Sequence, residues 1–123
     1  MVQTQGKSRS ASPVTAPGPA LTSAPLAVLV DGHTASASEI LAGALRDNCR
    51  AVLVGGRTYG KGLIQSVYEL GDGSGLVLTV GKYLTPAGID IDREGIAPDF
   101  KSLPAAAAAD GAVAACKLRR AGR

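Results

Sequence analysis

The residues best suited to chemistry in this chain are a serine-rich hexapeptide and one lysine held between glycines. Ser36 lies in Thr34-Ala35-Ser36-Ala37-Ser38-Glu39, shortly after an apolar run that ends at Asp31-Gly32. A serine at a strand-to-helix junction gains the positive end of the helix, and the N–H of the next residue, Ala37, points where an oxyanion would form. The same residues have a structural use. Ser36 and Glu39 have the spacing of a capping box, whose loss costs about 0.5–2 kcal/mol. A serine nucleophile also needs a base. A lysine can serve when burial lowers its pKa from about 10.4 toward neutrality. Lys61, in Gly60-Lys61-Gly62, is the candidate.

Other motifs carry less. Gly55 to Gly62 reads Gly-Gly-Arg-Thr-Tyr-Gly-Lys-Gly, close to a phosphate-binding loop. Gly62 stands where a magnesium-holding hydroxyl belongs, and the next segment reads as strand, so no helix N-terminus would face a phosphate. No nucleotide is expected. Asp90-Ile91-Asp92-Arg93-Glu94-Gly95 opens like a calcium loop, but Pro98 occupies its ninth position and Lys101 its twelfth. A solvated acidic turn is the better reading, and no metal or other cofactor is expected. His33 is the only histidine, and its neighbour Thr34 is not in a nucleophile-elbow pattern.

The elements that must position Ser36 and Lys61 follow from the apolar pattern. Leu26-Ala27-Val28-Leu29-Val30 is a continuous apolar run, which predicts a strand covered on both faces. Within Ser36 to Asn48, Ala37, Ile40, Leu41, Ala44 and Leu45 fall on one helical stripe. Ala51-Val52-Leu53-Val54 is a second buried strand, so a strand–helix–strand crossover is expected. Leu63 to Leu70 and Gly75 to Leu84 flank the turn Gly71-Asp72-Gly73-Ser74 and predict a hairpin. Residues 1–24 are rich in Ser, Ala and Pro. A short strand over Val2 to Gln5 is compatible with them, and Lys7 to Ser23 reads as a loop or disordered leader. Residues 25–100 form the α/β body, and 101–123 an Ala-rich basic tail with a weak helix.

Composition closes off several classes. The 123 residues suit one domain. Aromatics are 3%, namely Tyr59, Tyr68, Tyr83 and Phe100, too few for a base-stacking platform. Net charge is +3, but Lys117, Arg119, Arg120 and Arg123 sit at the tail, leaving 9 basic against 10 acidic residues elsewhere. The body therefore has no nucleic-acid footprint. No apolar run reaches the roughly 18 residues of a membrane span, and no signal or transit pattern is evident. Cys49 and Cys116 are able to form one disulfide, but sequence alone does not decide it.

The stretch from Pro25 to Phe100 resembles the carboxyl-terminal (tail-specific) processing proteases, serine peptidases with a Ser-Lys dyad, and within them the cyanobacterial and chloroplast D1-processing branch. The resemblance rests on Thr34-Ala35-Ser36-Ala37-Ser38-Glu39-Ile40, on Gly60-Lys61-Gly62-Leu63-Ile64-Gln65 about 25 residues later, and on Gly95-Ile96-Ala97-Pro98-Asp99. It implies Ser36 as nucleophile, Lys61 as general base, Gln65 orienting Lys61, an oxyanion-hole N–H from Ala37 and support from Glu39. It implies a partial ClpP/crotonase-like α/β core. The substrates would be protein C-termini, the photosystem II D1 precursor among them. The location would be the chloroplast thylakoid lumen or, alternatively, a bacterial periplasm, with peripheral membrane association of the full enzyme. Family members are several times longer and carry a PDZ domain and an upstream Asn-Pro-Gly-Gly segment. Neither occurs here, so the chain is expected to be a C-terminal catalytic fragment. The rival expectation is a non-catalytic α/β remnant or pseudoenzyme that binds protein termini.

Overall fold

The computed structural model describes residues 2–6 and 9–122. Two sheets and two helices make up a mixed α/β fold. The elements are β1 (Val2–Gly6), β2 (Arg9–Val14), β3 (Leu26–Val30), α1 (Ala37–Asp47), β4 (Ala51–Gly55), β5 (Leu63–Glu69), β6 (Gly75–Leu84) and α2 (Ala106–Ala121).

The strand–helix–strand unit forms as expected. β3 and β4 run parallel, in register from Leu26 opposite Ala51 to Val30 opposite Gly55, with α1 in the crossover. Ala51 to Val54 are all buried, and Leu53 is inaccessible to solvent. The core gathers Val30, Ala42, Leu53, Ile91 and Ile96, with Val28 packed against it. The segment after Gly95 runs along the far edge of β4. There the Gly55 N–H donates to Phe100 O at 2.8 Å, and the Asp99 N–H to Leu53 O at 2.8 Å. The Asp99 carboxylate accepts from the Leu53 N–H at 2.8 Å and pairs with Arg46 of α1 at 2.9 Å. Asp99 thus ties the helix to the strand.

β5 and β6 form the expected antiparallel hairpin, with an irregularity between Ile64 and Gln65. Its turn closes through the Leu70 N–H to Ser74 O at 2.7 Å, and Gly73 takes the positive φ of 83° that the turn needs. The hairpin joins β1 and β2 in a four-stranded sheet ordered β2-β1-β6-β5.

Three expectations are corrected. The stretch read as loop or disordered leader contains β2, paired antiparallel with β1. β2 is the edge strand, the place in a sheet where proline is tolerated. β3 is not covered on both faces, since Leu29 is 74% exposed. The two-stranded sheet offers no layer against that side. Nor is the buried face of α1 the predicted apolar stripe. Glu39, Ala42 and Gly43 face inward, while Ala37 and Leu41 are exposed. Small residues win the inner face because the approach is close: a Cβ on Gly43 would lie 3.2 Å from the Ile96 side chain.

The two cysteines are paired in a disulfide, Cys49–Cys116. It fastens α2, which has no buried residue of its own, to the turn between α1 and β4.

Candidate active site

Ser36 is the N-cap of α1, half-buried, with φ 53° and ψ −117°. A positive φ is unusual for a residue with a Cβ and marks a sharp turn into the helix. Ser36 and Glu39 occupy the capping-box positions, but the Ser36 hydroxyl makes no full cap hydrogen bond. Ala37 is the first helical residue and is exposed. Its N–H is among those an α-helix leaves without an internal partner. The nucleophile candidate and its oxyanion donor therefore sit together at the positive end of α1.

Glu39 organises the site. Its side chain is completely buried and accepts four hydrogen bonds. Oε2 takes the Ser36 N–H at 2.9 Å and the Lys61 N–H at 2.9 Å. Oε1 takes the Gly60 N–H at 2.8 Å and the Thr58 hydroxyl at 2.5 Å. A single carboxylate oxygen thus stands between the backbones of Ser36 and Lys61. Thr58 Oγ1 in turn accepts the Ile96 N–H at 2.7 Å, which continues the network into the core. A buried carboxylate is stable only when its lone pairs are met by donors, and here they are.

The glycines beside Lys61 permit close contact with the Ile91–Gly95 segment. A Cβ on Gly62 would lie 2.7 Å from Asp92 N, and one on Gly60 would lie 2.9 Å from Gly95 N. The Arg93 N–H donates to Gly60 O at 2.8 Å. The loop is clamped on both sides of the lysine, and the Lys61 side chain is left exposed. Lys61 borders an open cleft of about 610 Å³, together with Ala35, Tyr59, Gln65, Asp92 and Arg93. Gln65, on β5, is exposed and shares this cleft with Lys61. No loop-to-helix phosphate cradle forms, because Lys61 leads into β5.

His33 is at the rim, with its side chain 99% exposed and Nδ1 at 3.7 Å from Asp31 Oδ2. Asp31 has its carboxyl held below the usual value, chiefly by the His33 N–H. Sequence reasoning missed Thr58 and the Asp92–Arg93 pair. Thr58 precedes Lys61 by three residues in a loop, where no periodicity points to a contact with a helix 19 residues earlier.

A buried acid thus joins a helix N-terminal serine to a glycine-flanked lysine beside the parallel pair β3–β4. A profile of Peptidase family S41 matches residues 1–102, and the chain belongs to that family. The match begins upstream of Pro25 and takes in β1 and β2. The chain is 69% identical over 85 residues to carboxyl-terminal-processing peptidase 1, chloroplastic, of Arabidopsis thaliana, covering 69% of this chain and 17% of that one. It is 57% identical over 99 residues to a carboxyl-terminal-processing protease of Synechocystis sp., covering 80% of this chain and 23% of the relative. Among solved structures it resembles a photosystem II D1 C-terminal processing protease, with TM-score 0.60 and 59% identity over 62% of this chain and 20% of that one. The chain thus spans about a fifth of the length of these relatives.

Proposed function

We propose that this chain carries the nucleophile and base of a serine-type C-terminal processing peptidase. Ser36 is the nucleophile, Lys61 the base, and the Ala37 N–H one oxyanion donor. The supporting observation is the buried Glu39 carboxylate, which takes the N–H of both Ser36 and Lys61 on one oxygen. Lys61, as the neutral amine, takes the Ser36 hydroxyl proton while Oγ attacks the scissile carbonyl carbon. The oxyanion is stabilised by Ala37 at the helix N-terminus. Lys61 then protonates the leaving amine. Water, deprotonated by Lys61, cleaves the acyl-enzyme and restores the serine. Gln65 orients the lysine amine from the neighbouring strand. A peptide lying across the open cleft would exclude water from Lys61, which the described residues leave exposed.

The substrates on this reading are protein C-termini. The relatives' names, several chloroplastic and one a photosystem II D1 C-terminal processing protease, support the D1 precursor as a member of the class and the chloroplast as the setting; the thylakoid lumen, or a periplasm in bacteria, is the compartment proposed on the family resemblance. In the intact protein that contains this chain, Ser36→Ala and Lys61→Ala are each expected to reduce cleavage of a C-terminal peptide to background while leaving the unfolding midpoint within error. Turnover retained by either folded variant would overturn the dyad. The exposure of Lys61 favours a second reading, a pseudoenzyme that binds termini without cutting them. Tight peptide binding with no Ser36-dependent turnover would establish that reading instead.

A further inference from the structure

We propose that Arg93 is a specificity-determining residue, whose guanidinium receives an acidic side chain of the peptide in the Lys61 cleft. The inference rests on that cleft being the substrate site, as proposed above.

Three observations support it. First, Arg93 borders the same cleft as Lys61 and Gln65. Second, its backbone is held in place. The Arg93 N–H donates to Gly60 O at 2.8 Å, and its Cα would lie 3.1 Å from a Cβ built on Gly60. Its φ is 61°, a conformation that glycine adopts freely and a long side chain does not. A bulky residue kept at such a position is a reason to ask what the side chain does. Third, the guanidinium is largely unspent. The side chain is 90% exposed, and among the described residues its one polar contact is Nε to Asp92 Oδ2 at 3.4 Å. By contrast, Arg46, Arg50, Arg57 and Arg120 each donate to a carboxylate or a backbone carbonyl that belongs to the fold. Arginine presents five donors in a planar fork that matches a carboxylate with two parallel bonds. Arg93 therefore offers a charged, mostly free guanidinium on an anchored backbone, one loop away from the lysine.

The test uses the intact protein and three otherwise identical peptides with Glu, Gln or Lys placed in turn at each position flanking the scissile bond. At one position kcat/KM for the Glu peptide is expected to exceed that for the Lys peptide by about 3–10-fold, the range of a partly exposed charge-assisted contact. Arg93→Gln abolishes the preference, Arg93→Glu inverts it and Arg93→Lys restores part of it. The preference shrinks near 1 M salt, where the Debye length is about 3 Å. Arg93→Gly separates this role from a structural one: it removes the charge and relieves the backbone, so the preference disappears without loss of unfolding stability. The same peptides are bound to Ser36→Ala and followed by fluorescence anisotropy. A Glu preference in binding that Arg93→Gln removes would support Arg93 even if the unaltered protein proves unable to cleave. No Glu-over-Lys preference in cleavage or binding, or one that survives Arg93→Gln, would overturn the proposal while leaving the dyad standing.

Discussion

At the scale of single residues, Glu39 does more than its spacing announces. Ser-x-x-Glu before an apolar stretch reads as a cap, and the cap is there: the Ser36 N–H reaches Glu39 Oε2. The other three donors come from Thr58, Gly60 and Lys61. No spacing rule exposes them, because they belong to a loop that tertiary folding brings over the helix. A glutamine here keeps one acceptor oxygen and turns two hydrogens toward N–H groups. Glu39→Gln is therefore expected to cost about 2–4 kcal/mol, since stranded buried donors cost roughly 1–3 kcal/mol each, against about 0.5–2 kcal/mol for a cap alone. Urea unfolding of wild type and variant measures this. A loss no larger than a cap's would mean that the loop donors find water instead. Ser36 and Lys61 were legible as types in a pattern, Gln65 only through the family resemblance. Arg93 was not, because it sat inside a motif that reads as an acidic turn and owes its place to the Gly60 contact.

At the scale of elements, β3 to β6 and α1 follow their sequence signals closely, whereas β2 and the faces that the elements bury do not. Alternation and runs report what is apolar, not which neighbour is present to cover it. Leu29 and Leu41 are apolar and exposed because, among the described residues, no layer lies against them. The Ile91–Gly95 segment shows how an irregular stretch is held. Lys82 of β6 donates to Asp90 Oδ2 at 2.6 Å, and Asp90 Oδ1 accepts the Asp92 N–H at 3.0 Å. These contacts, the Lys82 hydrogen bond first, hold the Asp90 carboxyl below its ordinary 3.8. A lowered folded value means that the stabilisation is fully present above pH 3.8 and is lost as pH falls through the folded value. The group is well exposed, so the effect is small, within the 0–1 kcal/mol or so of surface pairs. An acid titration of unfolding stability should show Asp90→Asn less stable than wild type at neutral pH and the gap closing below about pH 4. A gap independent of pH would assign the loss to packing.

At the scale of the whole molecule, one covalent bond does what packing does elsewhere. α2 buries no residue, has Ala105 at its N-cap with no side chain to cap it, and is held by Cys49–Cys116 and by Arg120, which donates to Asp47 O and Asn48 Oδ1. Reduction is expected to free it. Amide hydrogens of Ala106–Ala121 should exchange quickly in reductant while β4 stays protected, because local opening follows local burial. Unchanged protection of α2 would show that the Arg120 contacts suffice. The hairpin presents the opposite case, with Val67, Leu76, Val77 and Leu78 exposed, the kind of surface that another layer of polypeptide or a partner covers. The buried Glu39 carboxylate also bears on timing. Its donors span residues 36 to 61 and its network runs on to Ile96. A nascent chain that has emerged only as far as Lys61 already carries the serine and the lysine, yet lacks the strand-edge segment that seats them. On the proposed reading, the dyad is seated only once residues up to Ile96 have been made, because Thr58 and Gly60 take their partners from Ile96 and Arg93.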